Sequence, residues 1–326
     1  MRWIFGILVA LMPGVVSAAC TGTDLRAGLS DAERAEVAAT VAATPYPTGN
    51  IWRATRGDQT LHLIGTLHIA DARLDAIAAR LAPVVGEADL LLVEADAQAQ
   101  AQLESAIAND PTLVFLSGPT LLDRMSDREW RDIASAANAR GIPAFMAAKF
   151  QPWYLSLILS MAPCVLQSMQ TGAEGLDAAL EDAAVAAGTP VRALEPYDTV
   201  FRLFNEDPMD EQLDMLRLGG IPVDAANDAH VTLVAQYLDG ALAEALATSR
   251  VVGRRHVDLP PSDYDALFDE TMTRILDQRN VAWMAPIAQA DATRIVIAVG
   301  ALHLIGERGL LNLLVQEGYT LERLPL

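Results

Sequence analysis

The sequence predicts an α/β fold: a sheet with parallel strand pairs flanked by helices, two similar Gly-x-x-His halves, and a helical insertion or cap. Three stretches predict it. Residues 61–71, LHLIGTLHIAD, are an apolar run that reaches Gly65 and then, three residues on, His68. Residues 295–306, IVIAVGALHLIG, repeat that arrangement with Gly300 and His303. Residues 90–93, LLLV, are a continuous apolar run of the kind found in strands buried on both faces, and they end on Glu94.

In chain order, Ser30 and Glu33 have capping-box spacing, and an Ala-rich helix follows to about Ala43. Residues 52–55 and 60–64 read as a hairpin closed at Arg56-Gly57-Asp58, its second arm entering the first motif. Leu74, Ile77, Leu81 and Val84 recur at helical spacing, with Pro83 bending the last turn and Gly86 closing it. Strand, helix and strand make a βαβ unit, so the strands ending at His68 and Glu94 run parallel. Both residues then lie at the carboxyl edge, where open α/β sheets hold ligands.

Residues 95–110 read as helical, and Ser126 with Glu129 opens another helix that Gly141 and Pro143 stop. The apolar stretch 150–169 is bracketed by Pro152 and Pro163, which favours a core or groove-lining helix over a membrane span. A helix over 175–187 closes at Gly188, and a short strand over 190–194 ends on Glu195. Amphipathic helices are expected over 201–218, 231–249 and 267–284, then a strand over 294–299, a helix over 307–317 and a last strand over 319–324. No linker divides the chain, so residues 20–326 read as one domain, in which about 95–290 form a largely helical insertion. The echo between the Gly-x-x-His segments hints at a two-fold repeat.

The chain has 326 residues, is 52% hydrophobic and carries a net charge of −19. That charge argues against nucleic acid, whose phosphates demand a basic face. Residues 1–19 have one positive charge at Arg2, an apolar run and the small residues Ser17-Ala18-Ala19, the pattern of a signal peptide cleaved near Ala19. The apolar run is shorter than the roughly 20 residues of an ordinary span. Export to a periplasmic or extracellular space follows, with no membrane span after cleavage; an uncleaved anchor or a lipoprotein at Cys20 are the alternatives. The only cysteines are Cys20 and Cys164. In an oxidising compartment they read as one disulfide, with free thiols or lipidation of Cys20 as the other readings.

His68, Glu94, Glu195 and His303 each fall just beyond an apolar strand. If the strands share one parallel sheet, all four converge. Two imidazoles and one or two carboxylates suit a divalent transition metal such as Mn, Fe, Co or Zn, which would make a nucleophile of bound water. Without metal, one histidine would be a general base and a glutamate its acid or orienting partner. Arg279 and Asn280, late in a helix, could hold a substrate carboxylate or carbonyl. Each residue also has a structural reading: Glu94 as a helix cap, Glu195 as a turn residue, Arg279 in a surface salt bridge. His62 reads as structural, and His230 and His256 as solvated. There is no G-x-S-x-G elbow, H-E-x-x-H, Walker loop or G-x-G-x-x-G.

Taken together, these residues resemble the TraB/GumN family. The likeness rests on Gly65-Thr66-Leu67-His68 and Gly300-Ala301-Leu302-His303, on Glu94, on Gly175-Leu176-Asp177 with Leu194-Glu195 beyond it, on Arg279-Asn280, and on the closing GERGLLNLLVQEGYTLERL. It covers the chain from about Trp52 to its end. That family is related to the Tiki proteins, regarded as metal-dependent proteases, and to pheromone-shutdown proteins, and is grouped with erythromycin esterase and ChaN-like folds. The resemblance implies an α/β fold with paired halves and a site of His68, Glu94, His303 and Arg279 or Asn280, with Glu195 matching a further family position. Three functions are then expected to compete: a metal-dependent hydrolase acting on a peptide, a metal-independent hydrolase using the same histidines, and a protein that binds a peptide or signal without turning it over.

Overall fold

The computed structural model describes residues 20–218 and 221–326; the signal peptide expected over residues 1–19 lies outside them. One sheet holds β1 (Ile51–Arg56), β2 (Gln59–Thr66), β3 (Leu90–Val93), β4 (Val191–Ala193), β5 (Arg294–Gly300) and β6 (Thr320–Leu324). Their spatial order is β4-β3-β5-β2-β1-β6. β4, β3, β5 and β2 are parallel, while β1 is antiparallel to β2 and β6. The fold is mixed α/β with parallel pairs flanked by helices, as the sequence predicts.

β1 and β2 form the expected hairpin. Arg56 pairs with Gln59 across a two-residue turn, in which Gly57 takes φ +58°, a conformation that costs glycine little. β2 and β3 are parallel as expected, yet they do not touch. β5 lies between them, with Ile295 opposite Leu61 on one side and Leu90 on the other. The strand that arrives last therefore completes the centre, and Ile295–Val299 are buried without interruption. Beyond the strands the two Gly-x-x-His segments differ. After β2 the chain passes His68 before the turn Ala72–Leu74 and the helix Asp75–Gly86; after β5, His303 sits within the turn Ala301–Leu304 itself.

Leu61, Leu63, Leu91, Leu92, Ile295 and Ile297 are fully buried at the centre of the main core. Each such side chain contributes about 1.5–3 kcal/mol on burial. The helices Asp75–Gly86 and Leu176–Ala187 pack together against this core. A separate apolar cluster around Leu121, Ile133, Phe150, Leu155 and Leu216 holds the helices between β3 and β5.

Several long helices expected from periodicity are divided. Residues 201–218 fall into Thr199–Asn205 and Met209–Leu218, because Pro208 cannot continue the first. Residues 231–249 fall into Val223–Leu238 and Leu242–Gly253, parted at Gly240, which has φ +66°. Residues 150–169 form Pro152–Ser160 and Pro163–Gln170, each starting on its proline. The helix expected over 267–284 begins earlier, at Pro261, and carries a π turn at Thr273–Asp277 before continuing as Gln278–Ala288. Pro83 lies inside the last turn of Asp75–Gly86 without ending it. Among the described residues no helix is long and apolar enough to cross a membrane.

Cys20 and Cys164 form a disulfide across 144 residues of sequence. It fastens the segment before the first helix to the apolar cluster of Ala162, Val165 and Ala226. A closed loop of this length restricts the unfolded chain strongly. The double variant Cys20→Ser/Cys164→Ser is expected to lose about 3–5 kcal/mol of unfolding free energy in urea titrations.

Candidate active site at the carboxyl edge of the sheet

The carboxyl ends of β2, β3, β4 and β5 deliver His68, Glu94, Glu195 and His303 to one edge of the sheet. Arg279, on the helix Gln278–Ala288, joins them there. Its side chain is 10% exposed, so each of its five N–H donors needs a partner. All five have one. Nε and Nη2 form a fork on Glu195 at 3.0 and 2.7 Å, and Nη2 also reaches Glu94 Oε2 at 2.6 Å. Nη1 donates to the Ile275 carbonyl at 3.1 Å and faces His303 Nε2 at 3.3 Å. The π turn lies just before this side chain, with the Gln278 N–H bonded five residues back to Thr273.

Asn280 is buried, and its amide settles the tautomer of His303. Its Nδ2 donates to the carbonyls of His303 and Arg308, at 3.2 and 2.9 Å, so Oδ1 is the acceptor facing His303 Nδ1 at 2.7 Å. Nδ1 of His303 therefore carries the hydrogen, and Nε2 presents a lone pair to Arg279. Burial first, and then the Arg279 charge, push the His303 pKa down to about 4. The sequence expectation that Asn280 contacts substrate does not match this geometry, because its amide is fully occupied by backbone and His303.

His68 is unlike His303. Its side chain is 54% exposed, and its two nitrogens face two carboxylates: Nε2 is 3.4 Å from Glu94 Oε1 and Nδ1 is 3.2 Å from Asp177 Oδ2. Desolvation opposes its charge, but Asp177 and Glu94 outweigh it and raise the pKa to about 10. Glu94 is drawn the other way. Burial alone would raise its pKa, yet His68, His303 and Arg279 hold it well below the usual carboxylate range. Its Oε1 also accepts the Gly300 N–H at 2.6 Å.

The motif glycines are places where a side chain has no room. A Cβ at Gly300 would lie 3.2 Å from both Glu94 Oε1 and His68 Nε2. One at Gly65 would lie 2.9 Å from the Ala301 backbone, and one at Gly175 2.4 Å from the Leu67 carbonyl. Gly175 lets the helix Leu176–Ala187 start against the His68 loop, where the Leu176 N–H donates to the Leu67 carbonyl at 3.0 Å. Asp177, in the first turn of that helix, is thereby placed beside His68.

The sequence reading assigned no role to Asp177 or Trp283. Fully buried Trp283 donates its indole N–H to Glu195 Oε2 at 2.9 Å and packs 4.4 Å from the His303 ring. The helix-opening Gly-Leu-Asp was the only signal for Asp177; Trp283 lies one turn beyond Arg279, the spacing that puts two residues on one helical face. His62 is half-buried within β2, and His230 is half-buried, its Nδ1 enclosed without a partner, rather than solvated.

His68, Glu94, Asp177, Glu195 and Arg279 line a cavity of about 330 Å³, faced by Leu103, Tyr197 and Phe201. His303 sits behind Arg279 and does not line it. Recesses of about 1000 and 360 Å³ elsewhere contain neither motif histidine. The donor chemistry suits a divalent transition metal, but the arrangement does not. Both nitrogens of His68 face carboxylates, the lone pair of His303 faces a guanidinium, and that permanent cation already holds Glu94 and Glu195. Among the described residues no three His, Cys, Asp or Glu side chains are arranged to hold a metal ion.

The lowered His303 pKa ties stability to pH. The unfolded chain takes up a proton near pH 6.5 that the folded chain refuses until about 4, so this contribution is complete above 6.5 and is lost as pH falls towards 4. Replacing His303 by Gln is expected to flatten the acid-side slope of unfolding free energy, by up to about 1.4 kcal/mol per pH unit. Urea midpoints measured between pH 4 and 7 check this.

The model of the TraB/PrgY/gumN family matches residues 50–323. The chain is 26% identical over 289 residues to the uncharacterized protein YbaP of Escherichia coli (strain K12), an alignment that covers 82% of this chain and 98% of that protein. The protein of the same name from Shigella flexneri matches to the same extent. The family match spans every element described above at the sheet edge, from the hairpin to Arg323: the chain belongs to the TraB/PrgY/gumN family.

Proposed function

We propose that the chain is a hydrolase in which Glu94 and His68 divide the proton transfers of acyl cleavage. The observation that carries this reading is a carboxylate and an imidazolium 3.4 Å apart on the floor of an open cavity. Their surroundings drive the pair to opposite protonation states, and pairs driven apart in this way supply an acid and a base. Glu94 takes a proton from water as its oxygen attacks the substrate carbonyl. His68 gives its proton to the leaving group. The proton on Glu94 then crosses to His68 and restores the starting state. His303 and Asn280 act through Arg279: they fix the guanidinium that keeps Glu94 ionised.

The substrate class favoured is a peptide. Asp177 Oδ1 is buried and has no hydrogen-bond partner among the described residues, so it offers an acceptor to an N–H on the substrate. An ester has no such donor at the scissile bond. The disulfide suits an exported protein, in keeping with the leader expected from the sequence.

A metal-dependent reading is favoured by one feature: Nε2 of His68 and of His303 lie 3.4 and 3.7 Å from the same Glu94 oxygen. Metal content of chelator-free protein, with peptidase activity before and after exhaustive chelation, separates the two readings. Activity that persists without metal supports proton transfer by His68 and Glu94. One bound equivalent, lost with activity in both His68→Ala and His303→Ala, supports the metal.

Under the metal-free reading, Glu94→Gln and His68→Ala should each lower kcat/KM by about 10²–10⁴ while leaving the fold intact. The acid limb of the pH profile belongs to Glu94 and the alkaline limb to His68. Since His68 is raised to about 10, the plateau should extend beyond pH 8. Asp177→Asn should draw the alkaline limb back towards the ordinary imidazole range. A pH–rate profile of both proteins on a dye-labelled peptide pool checks it, and a ligand recovered uncleaved after long incubation would replace the hydrolase with a binding protein.

A further inference from the structure

The recess of about 1000 Å³ lies in the helical layer between β3 and β5. Helices Asp127–Asn138, Met209–Leu218 and Pro261–Met272 wall it, and Thr199–Asn205 adds Phe204. Its apolar lining is Met125, Ile133, Phe204, Met215, Leu259 and Leu267. Around these stand seven carboxylates and two guanidiniums. The guanidiniums are internally paired: Arg274 forks on Asp207 at 2.9 Å, and Arg217 bridges Glu129 and Asp214 at 2.9 and 2.6 Å. Asp132, Glu211, Asp258 and Glu270 are exposed and, among the described residues, have no ion-pair partner.

Apolar walls rimmed by unneutralised carboxylates exclude anionic ligands and call for an occupant with apolar and cationic groups on one face. The volume is three times that of the cavity at His68 and stands at the upper end for small-molecule sites, about 300–1,000 Å³. We propose that this groove docks a basic amphipathic polypeptide segment, its apolar side chains against Ile133, Phe204 and Leu267 and its Lys or Arg side chains against Asp132, Glu211, Asp258 and Glu270. The groove neighbours the candidate active site. Val200 and Phe201 line the cavity at His68 while Phe204, one turn on, lines the groove, and the helix bearing Arg274 continues through the π turn to Arg279. The proposal does not rest on the hydrolase reading, because its test records binding and no turnover.

The probe is a short fluorescein-labelled peptide with Lys and Leu at helical spacing, titrated by anisotropy at low salt into the full chain. Asp132→Lys/Glu211→Lys/Glu270→Lys should weaken binding about 100-fold, and Asp132→Asn/Glu211→Gln/Glu270→Gln about tenfold. A control with the same charge change at exposed sites outside the groove, Asp58→Lys/Asp182→Lys/Asp291→Lys, should change the Kd less than about threefold, since distant charges are screened. Circular dichroism checks folding, and the Asn/Gln variant carries the comparison if the Lys variant misfolds. Equal weakening by the control, or equal binding of a peptide with Glu in place of Lys, would overturn the proposal.

Discussion

A buried guanidinium between two carboxylates is the constraint on which this sheet edge depends. Glu94 and Glu195 follow adjacent parallel strands, and two like charges so placed repel unless a cation joins them. Arg279 does so from a helix that arrives more than eighty residues later. The pair is not a free gain in stability, because removing three charges from water is costly; breaking one such partnership nonetheless costs about 3–5 kcal/mol, since the survivor is left buried and uncompensated. The helix bearing Arg279 is therefore fixed in height and rotation against the strand ends. Its next turn then delivers Trp283 to Glu195, and Asn280 to His303.

Backbone proximity is the second constraint. Glu94 Oε1 receives the Gly300 N–H and stands near His68 Nε2, and the space a Cβ would need at Gly300 is the space that lets these groups meet. Gly175 does the same on the other side of His68, allowing a helix start to touch the loop and place Asp177. Glycine in these motifs serves close approach more than unusual torsion: neither Gly65, Gly175 nor Gly300 has positive φ.

Much of this edge could be read in the sequence, for a physical reason. Buried parallel strands must be apolar throughout, so LLLV and IVIAV announce themselves, and the first polar residue after each marks the edge. The order of the strands was not written locally: nothing in residues 61–94 shows that β5 enters between β2 and β3. Nor did equal Gly-x-x-His spacing reveal that the histidines differ. That difference depends on neighbours distant in sequence, Asp177 for His68 and Asn280 with Arg279 for His303. Helical periodicity likewise carried across Gly240 because the apolar pattern resumes beyond it, while the backbone turns at φ +66°.

The unlike histidines restrict what chemistry the edge can perform. His303 has one nitrogen bound to Asn280 and the other against Arg279, and burial keeps it neutral. Protonating it would set a second cation beside the guanidinium, so it is poorly placed to shuttle protons and well placed to hold Arg279 still. His68 is exposed, charged and flanked by anions, and can exchange a proton with anything that enters the cavity. Exchanging the two roles would require moving the strand ends, not merely the rings. The asymmetry is therefore set by the order of the sheet: β5 lies inside, with its histidine turned into the core, and the loop after β2 leaves its histidine at the cavity mouth.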